Sequence, residues 1–146
     1  MEVRVQEDSF DPGLELNAFT KAQGNVGAVV SFSGIVRDTE EGLSEMLIEH
    51  YPGMTERALS EITQQAITRW NLSGALVIHR HGQLVAGEVI MMVATASKHR
   101  ADAFQSADFL MDYLKSRAPF WKKERTGAGE AWVAAKDDDE AALDRW

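Results

Sequence analysis
The run Glu88–Ala96 (EVIMMVATA) is almost continuously apolar. A stretch of that kind reads as a buried central strand, so other elements must lie beside it and cover it. The flanking sequence offers them. Glu2–Gln6 alternates and reads as a short strand. Asp11–Ala22 has Asp and Pro at its start and Leu14, Ala18 and Phe19 at helical spacing, and Gly24 ends it. Gly27–Arg37 is rich in β-formers, with Gly34 as a bulge or point of close approach. An acidic loop, Asp38–Ser44, leads to a strand over Glu45–Tyr51 that Pro52-Gly53 stops. Thr55–Trp70 places Leu59, Ile62, Ala66 and Trp70 on one helical face. Ala75–His81 reads as a strand with Val77, His79 and His81 on one side, followed by turns at Gly82 and Gly87. A helix follows the central run and ends at Pro119, because the residue before proline avoids helical angles. Phe120–Arg125 and Glu130–Ala135 pair across a TGAG turn, and an acidic tail, residues 137–146, closes the chain. The order is α+β with mainly antiparallel pairing, in a single domain over residues 1–146.

Charge is concentrated after the central run. Between Lys98 and Arg125 seven Lys and Arg stand against four acids, a net +3, in a chain of formal net charge −8. Ser97 is placed to cap the helix, yet Lys98, His99 and Arg100 follow it. Cations are disfavoured at a helix N-terminus, where free N–H groups already carry partial positive charge; together they make an anion site. On the wheel Phe104, Ala107, Met111 and Leu114 form an apolar stripe, with Arg100 inside it and Lys115 at its edge, about 20° from Phe104. The plain alternative is that Asp108 and Asp112 pair with these cations at helical spacing.

The composition excludes several classes. With no cysteine there is no disulfide, thiolate metal site or cysteine nucleophile. No apolar run approaches the roughly 20 residues of a membrane span, and the acidic, alternating N-terminus is unlike a signal peptide, so the expected location is cytoplasmic. A pI near 4.9 argues against general nucleic-acid binding. His79 and His81 share a strand face but lack a third ligand at a telling spacing, which favours surface or core histidines over a metal site. Lysine chemistry remains. Lys115 and Lys122 lie seven residues apart across the Pro119 corner, which can turn both into one pocket. Arg37 and Arg100 nearby, with partial burial, would favour a neutral amine able to act as acid, base or nucleophile.

The segments FSGIVRD (Phe32–Asp38), LIEHYPGMTERAL (Leu47–Leu59), VIHRHGQLVAGE (Val77–Glu88), SKHRADAF (Ser97–Phe104) and FLMDYLKSRAPFWKKE (Phe109–Glu124) resemble the large, catalytic subunits of molybdopterin synthases. The match runs in order from Gly27 to Trp132, and the terminal Arg145-Trp146 also fits. The resemblance implies an α/β hammerhead-type fold and a sulfurtransferase that converts cyclic pyranopterin monophosphate to molybdopterin. Sulfur would arrive as a thiocarboxylate on the C-terminal Gly-Gly of a small ubiquitin-like partner. The implied assembly is a homodimer of large subunits with a small subunit at each outer end, a heterotetramer, and it implies no cofactor or metal.

Carried over by the same resemblance, Lys115 and Lys122 are the catalytic lysines. Arg37, His99 and Arg100 hold the substrate and its phosphate, with His99 and Arg100 contributed across the dimer interface. Phe32 and Met111 line the channel for the partner's tail, and Phe120 and Trp121 are further candidates for it. Lys136 stands where an arginine is expected, and lysine lacks the bidentate fork. Two other readings use the same residues: a non-catalytic, dimeric anion-binding regulatory module, and a scaffold that only docks a ubiquitin-like protein. The lysine pair separates them, since anion binding alone does not need it.

Overall fold
The computed structural model describes residues 1–134 and 137–146. Lys136, and Ala135 at the expected end of the last strand, lie outside the described residues.

Two four-stranded sheets carry the fold. In the first the order is β1 (Glu2–Gln6), β4 (Gly74–Arg80), β6 (Val89–Ser97) and β2 (Ala28–Ile35). The apolar run is β6, flanked by β4 and β2 and buried at every position but its first. In the second sheet the order is β5 (Gly82–Leu84), β3 (Leu43–His50), β7 (Phe120–Thr126) and β8 (Gly129–Trp132). Among the described pairings only β1–β4 is parallel. The α+β expectation holds. β5 is an addition: the chain does turn at Gly82, but the three residues there pair with β3 instead of forming a bare connection.

Helices cover both faces of the first sheet. α1 (Pro12–Ala22) is capped by Asp11, whose carboxylate accepts from the N–H groups of Gly13 and Leu14 at 2.9 and 3.2 Å. It lays Leu16 and Phe19, with Phe10, on Leu76, Ile78, Met92 and Ala94. Leu14, expected on the apolar face, points away and is exposed. α2 (Met54–Trp70) and α3 (Arg100–Ser116) cover the other face, where Leu59, Ile62, Ala66, Phe109 and Leu110 meet Ala75, Val77, Met91 and Val93. None of the helices in the described residues is long and apolar enough to cross a membrane.

α3 begins later than its sequence suggests. Ser97 is the last residue of β6, and His99 takes the cap position without a side-chain hydrogen bond. The Ser97 hydroxyl instead accepts from the His99 N–H at 3.3 Å. The buried stripe of α3 is Ala103, Ser106, Ala107, Phe109 and Leu110, whereas Phe104 is 61% exposed and Arg100 lies in solvent. The wheel was rotated by about one residue because the strand, not the Ser97 cap, sets where the helix meets the sheet.

The tail takes up the acids of α3. After the short α4 (Asp137–Ala142), Arg145 pairs with Asp108 at 3.0 Å and Asp112 at 2.7 Å. Trp146 packs edge-on against Trp70 and Phe109, 5.6 Å between centroids in each case. Asp108 and Asp112 therefore do not neutralise Arg100 or Lys115.

Gly27 fixes the approach to α3. Its N–H donates to the Ser97 carbonyl at 3.1 Å, and a Cβ there would stand 2.4 Å from the Lys98 carbonyl oxygen. Gly27→Ala must push the Lys98 backbone away, and overpacking of this kind costs about 1–3 kcal/mol. Denaturant unfolding checks this; an unchanged midpoint would show that the segment yields freely.

Candidate active site
The site is built where the two sheets meet. Across the first sheet, Val5, His79, Met91 and Gly34 form one row of register partners, on the face that α2 and α3 cover. Gly34 is at a bulge, and a Cβ on it would meet Met91 Cγ at 3.1 Å. The expected bulge and close approach are thus one feature. On the second sheet, β7 alternates Phe120, Lys122 and Glu124 toward the face of its partners His50, Ile48 and Met46. Ile48 is buried. Lys122 therefore leaves the strand on the inner side and is half-buried.

His79 joins the two sheets. It is 4% exposed, and its ring stacks on Phe120 with centroids 3.8 Å apart and planes 18° from parallel. β4 stops at Arg80, one residue short of the expected strand, and His81 just beyond it meets His50 in a tilted contact, with centroids 4.1 Å apart and planes 35° from parallel. A carbonyl oxygen only accepts, so His79 Nδ1, 2.8 Å from the Arg80 carbonyl, carries the proton and Nε2 is bare. Burial is the main reason that His79 is held at about 3, with the ammonium groups of Lys122 and Lys115 and the neighbouring His81 pushing the same way and the Arg80 carbonyl opposing them. Both lysines bear on one buried imidazole. Lys122, two residues past Phe120 on the same face of β7, lies beside that stack, and Lys115, exposed near the end of α3, is near enough to act on the same ring.

That histidine carries a stability prediction. The unfolded chain binds a proton near 6.5 and the folded one near 3, so stability falls as pH drops through that window. The expected slope from this group is about 1.4 kcal/mol per pH unit. Replacing His79 by Phe should remove that slope, as read from unfolding free energies at pH 7, 6 and 5.

The basic residues fall into two groups. Arg37 follows the bulged end of β2, where Val36 exchanges backbone hydrogen bonds with Glu88 and Gly87, at the same end of the sheet as the His79 row. His99 and Arg100 lie at the other end of α3. Fifteen residues separate Arg100 from Lys115, about 22 Å at the helical rise. The expectation that Arg100 lies near the lysines fails within one chain. Among the described residues Arg37, Lys98, His99 and Arg100 have no ion-pair partner. Phe32, 42% exposed on the edge strand β2, faces the same side of the sheet as Val93, its register partner. Met111 is half-buried on α3. Trp121 leaves β7 on the side opposite Lys122 and packs edge-on against exposed Tyr51 at 4.8 Å, which separates it from Phe120.

Sequence reasoning missed the role of His79. It marked the strand face but not the stack, because Phe120 comes from the other sheet. No group of three or more His, Asp or Glu among the described residues is placed to hold a metal ion. Two clefts of about 180 and 670 Å³ lie along α2 and α3, lined in part by Tyr113, and neither contains a lysine.

Residues 5–117 match the family model described as "MoaE protein". The chain belongs to the MoaE protein family. Among its relatives, the molybdopterin synthase catalytic subunit of Cereibacter sphaeroides is 60% identical over 146 residues, covering 100% of both chains. The solved MoaE protein of Burkholderia ambifaria MC40-6 is 47% identical with a TM-score of 0.84, covering 100% of this chain and 98% of that one. Molybdopterin synthase from Staphylococcus aureus is 26% identical at a TM-score of 0.77, covering 89% of this chain and 95% of the other. For this MoaE-family chain the hammerhead-type fold implied by the sequence is therefore the observed one.

Proposed function
We propose that the chain, acting as one domain over residues 1–146, is the catalytic subunit of a molybdopterin synthase. It is a sulfurtransferase that takes sulfur from the thiocarboxylated Gly-Gly terminus of a small ubiquitin-like subunit. The acceptor is cyclic pyranopterin monophosphate, and the product carries the dithiolene of molybdopterin. The observation that carries the reading is the convergence of Lys115 and Lys122 on His79, which an anion-binding regulator or a docking scaffold has no use for. The working assembly is a homodimer with one small subunit on each chain. The approximately 22 Å between Arg100 and Lys115 supports it, since a complete site then needs His99 and Arg100 from the second copy.

In this scheme Arg37 of one chain and His99 and Arg100 of the other hold the phosphate and stabilise anionic charge as the thiocarboxylate sulfur attacks the pterin side chain. Lys115 moves the proton. Once sulfur attack has joined the tail's terminal carbonyl to the pterin as a thioester, the neutral Lys115 amine takes the acyl group as an amide; the carbonyl C–S bond breaks, the sulfur stays on the pterin as a thiolate, and the amine's proton passes to solvent. Lys122, fixed on the inner face of β7, orients the tail or assists proton transfer. The tail ends in two glycines because a channel bordered by Phe32 and Met111 admits a bare backbone more readily than side chains. The chain's net charge of −8 surrounds a basic site, so a carboxylate-ended tail is drawn to that site.

The test is sulfur transfer in vitro from a thiocarboxylated small subunit to the pterin precursor, with the product detected by mass spectrometry. Removing the Gly-Gly is expected to eliminate turnover while leaving most of the docking visible by size-exclusion chromatography, because docking rests on a wider interface. Transfer that survives the deletion would overturn the mechanism.

A further inference from the structure
We propose that His79 is a positioning residue for the lysine pair: its ring, stacked on Phe120, fixes the first residues of β7 and with them the place of Lys122 opposite Lys115. The inference rests on the sulfur-transfer reading above. Its geometry comes from three elements. β4 supplies His79, buried and anchored through Nδ1–H to the Arg80 carbonyl at 2.8 Å. β7 supplies Phe120, and Lys122, two residues on, shares its face of the strand. α3 and the Pro119 corner supply Lys115, and the corner is itself tied down by the Thr55 hydroxyl donating to the Pro119 carbonyl at 3.2 Å.

The stack acts as a lever on β7. β7 pairs with β3 and β8 in the second sheet, so those ladders alone say nothing about where it stands relative to the first sheet. The His79–Phe120 stack is a link between the two at the residue where β7 begins. A parallel ring contact of 3.8 Å resists sliding and tilting, and a long side chain two residues downstream inherits any error. Displacements of about 1 Å in a reacting group can cost up to about a hundredfold in rate. The charge state fits the role. The charged and titratable groups facing His79 are Lys115 from α3, Lys122 from β7 and His81 just past the end of β4, all of which oppose its protonation. A ring that stays neutral does not repel the two ammonium groups that act on it. His79 does not touch the reacting atoms in this account.

The experiment compares His79→Leu, which keeps volume without a ring, with His79→Phe, which keeps the ring. Steady-state sulfur transfer and the acetylation rate of Lys122 are both read, the latter by mass spectrometry with exposed Lys21 as the internal reference. His79→Leu is expected to lower kcat roughly tenfold to a hundredfold with KM for the precursor within about twofold. Lys122 acetylation should rise about threefold or more relative to Lys21 as the strand end loosens. His79→Phe should recover most of the kcat and the original acetylation rate. Phe120→Leu removes the other half of the stack at a half-buried position and should repeat the Leu pattern, which keeps the test open where His79→Leu folds poorly. Equal loss in the Leu and Phe variants, a wild-type kcat in His79→Leu, or unchanged Lys122 acetylation would each overturn the proposal. A wild-type protein without sulfur transfer would count against the functional reading, and the acetylation comparison would still decide the placement of Lys122.

Discussion

Lys115→Ala is expected to reduce product formation about 10²–10⁴-fold, the usual worth of a positioned acid or base. The fold and the dimer should survive, because the side chain is exposed and has no ion-pair partner among the described residues. Surface substitutions of that kind usually change stability by less than about 0.5 kcal/mol. Lys122→Ala should also impair turnover strongly, by removing the half-buried member of the pair. Single-turnover kinetics separate the two. Loss of Lys115 should slow the chemical step itself, whereas loss of Lys122 should also loosen the tail. Near-normal product from both variants would remove the catalytic assignment and favour the regulatory reading.

The second large effect concerns the anion. Arg100→Ala should weaken precursor binding by about 1.5–3 kcal/mol, the worth of a charge-assisted hydrogen bond, or roughly tenfold to 150-fold in affinity. Arg37→Ala should do the same, while binding of the small subunit stays unchanged in both. The structure explains why so much affinity can rest on these side chains. The α3 acids that might have satisfied the basic segment are instead held by Arg145, at 3.0 Å from Asp108 and 2.7 Å from Asp112. Arg37 and Arg100 are left with no ion pair among the described residues, so a bound phosphate does not have to displace one. Calorimetry with the precursor measures this directly. Unchanged affinity in Arg100→Ala would place the anion elsewhere.

Much of this architecture was legible because local signals and tertiary packing agree. The apolar run became the central strand, and Leu59, Ile62, Ala66 and Trp70 became the buried face of α2. Gly34 is a bulge for the reason a strand glycine usually is: Met91 occupies the space of its side chain. The failures share a cause as well. Ser97 has the chemistry of a cap, but pairing with Ala28 kept it in β6, so the helix began two residues later and its wheel turned. Asp108 and Asp112 sit at good spacing for intrahelical pairs, yet a residue more than thirty positions away took them. Periodicity carries no information about such partners. His79 and His81 were visible as a pair, and their ring contacts with Phe120 and His50 were not, since those rings belong to the other sheet. The Pro119 corner alone offered Lys115 and Lys122 as neighbours, while their catalytic roles came only from the family resemblance. The distance of Arg100 from it follows from helix length, but only once α3 is known to run unbroken to Ser116.

The central claim is that one working site needs the α3–β7 corner of one chain and the start of α3 of another. Mixing Lys115→Ala and Arg100→Ala chains tests it directly. In a two-fold dimer the mixed species has one site with both defects and one with neither. Hybrid dimers, purified by two affinity tags and assayed for sulfur transfer with saturating small subunit and precursor well below its KM, should therefore recover about half the wild-type rate, although Lys115→Ala is nearly inactive and Arg100→Ala is slowed roughly tenfold or more. Hybrids no more active than their parents would contradict the account and place the whole site within a single chain.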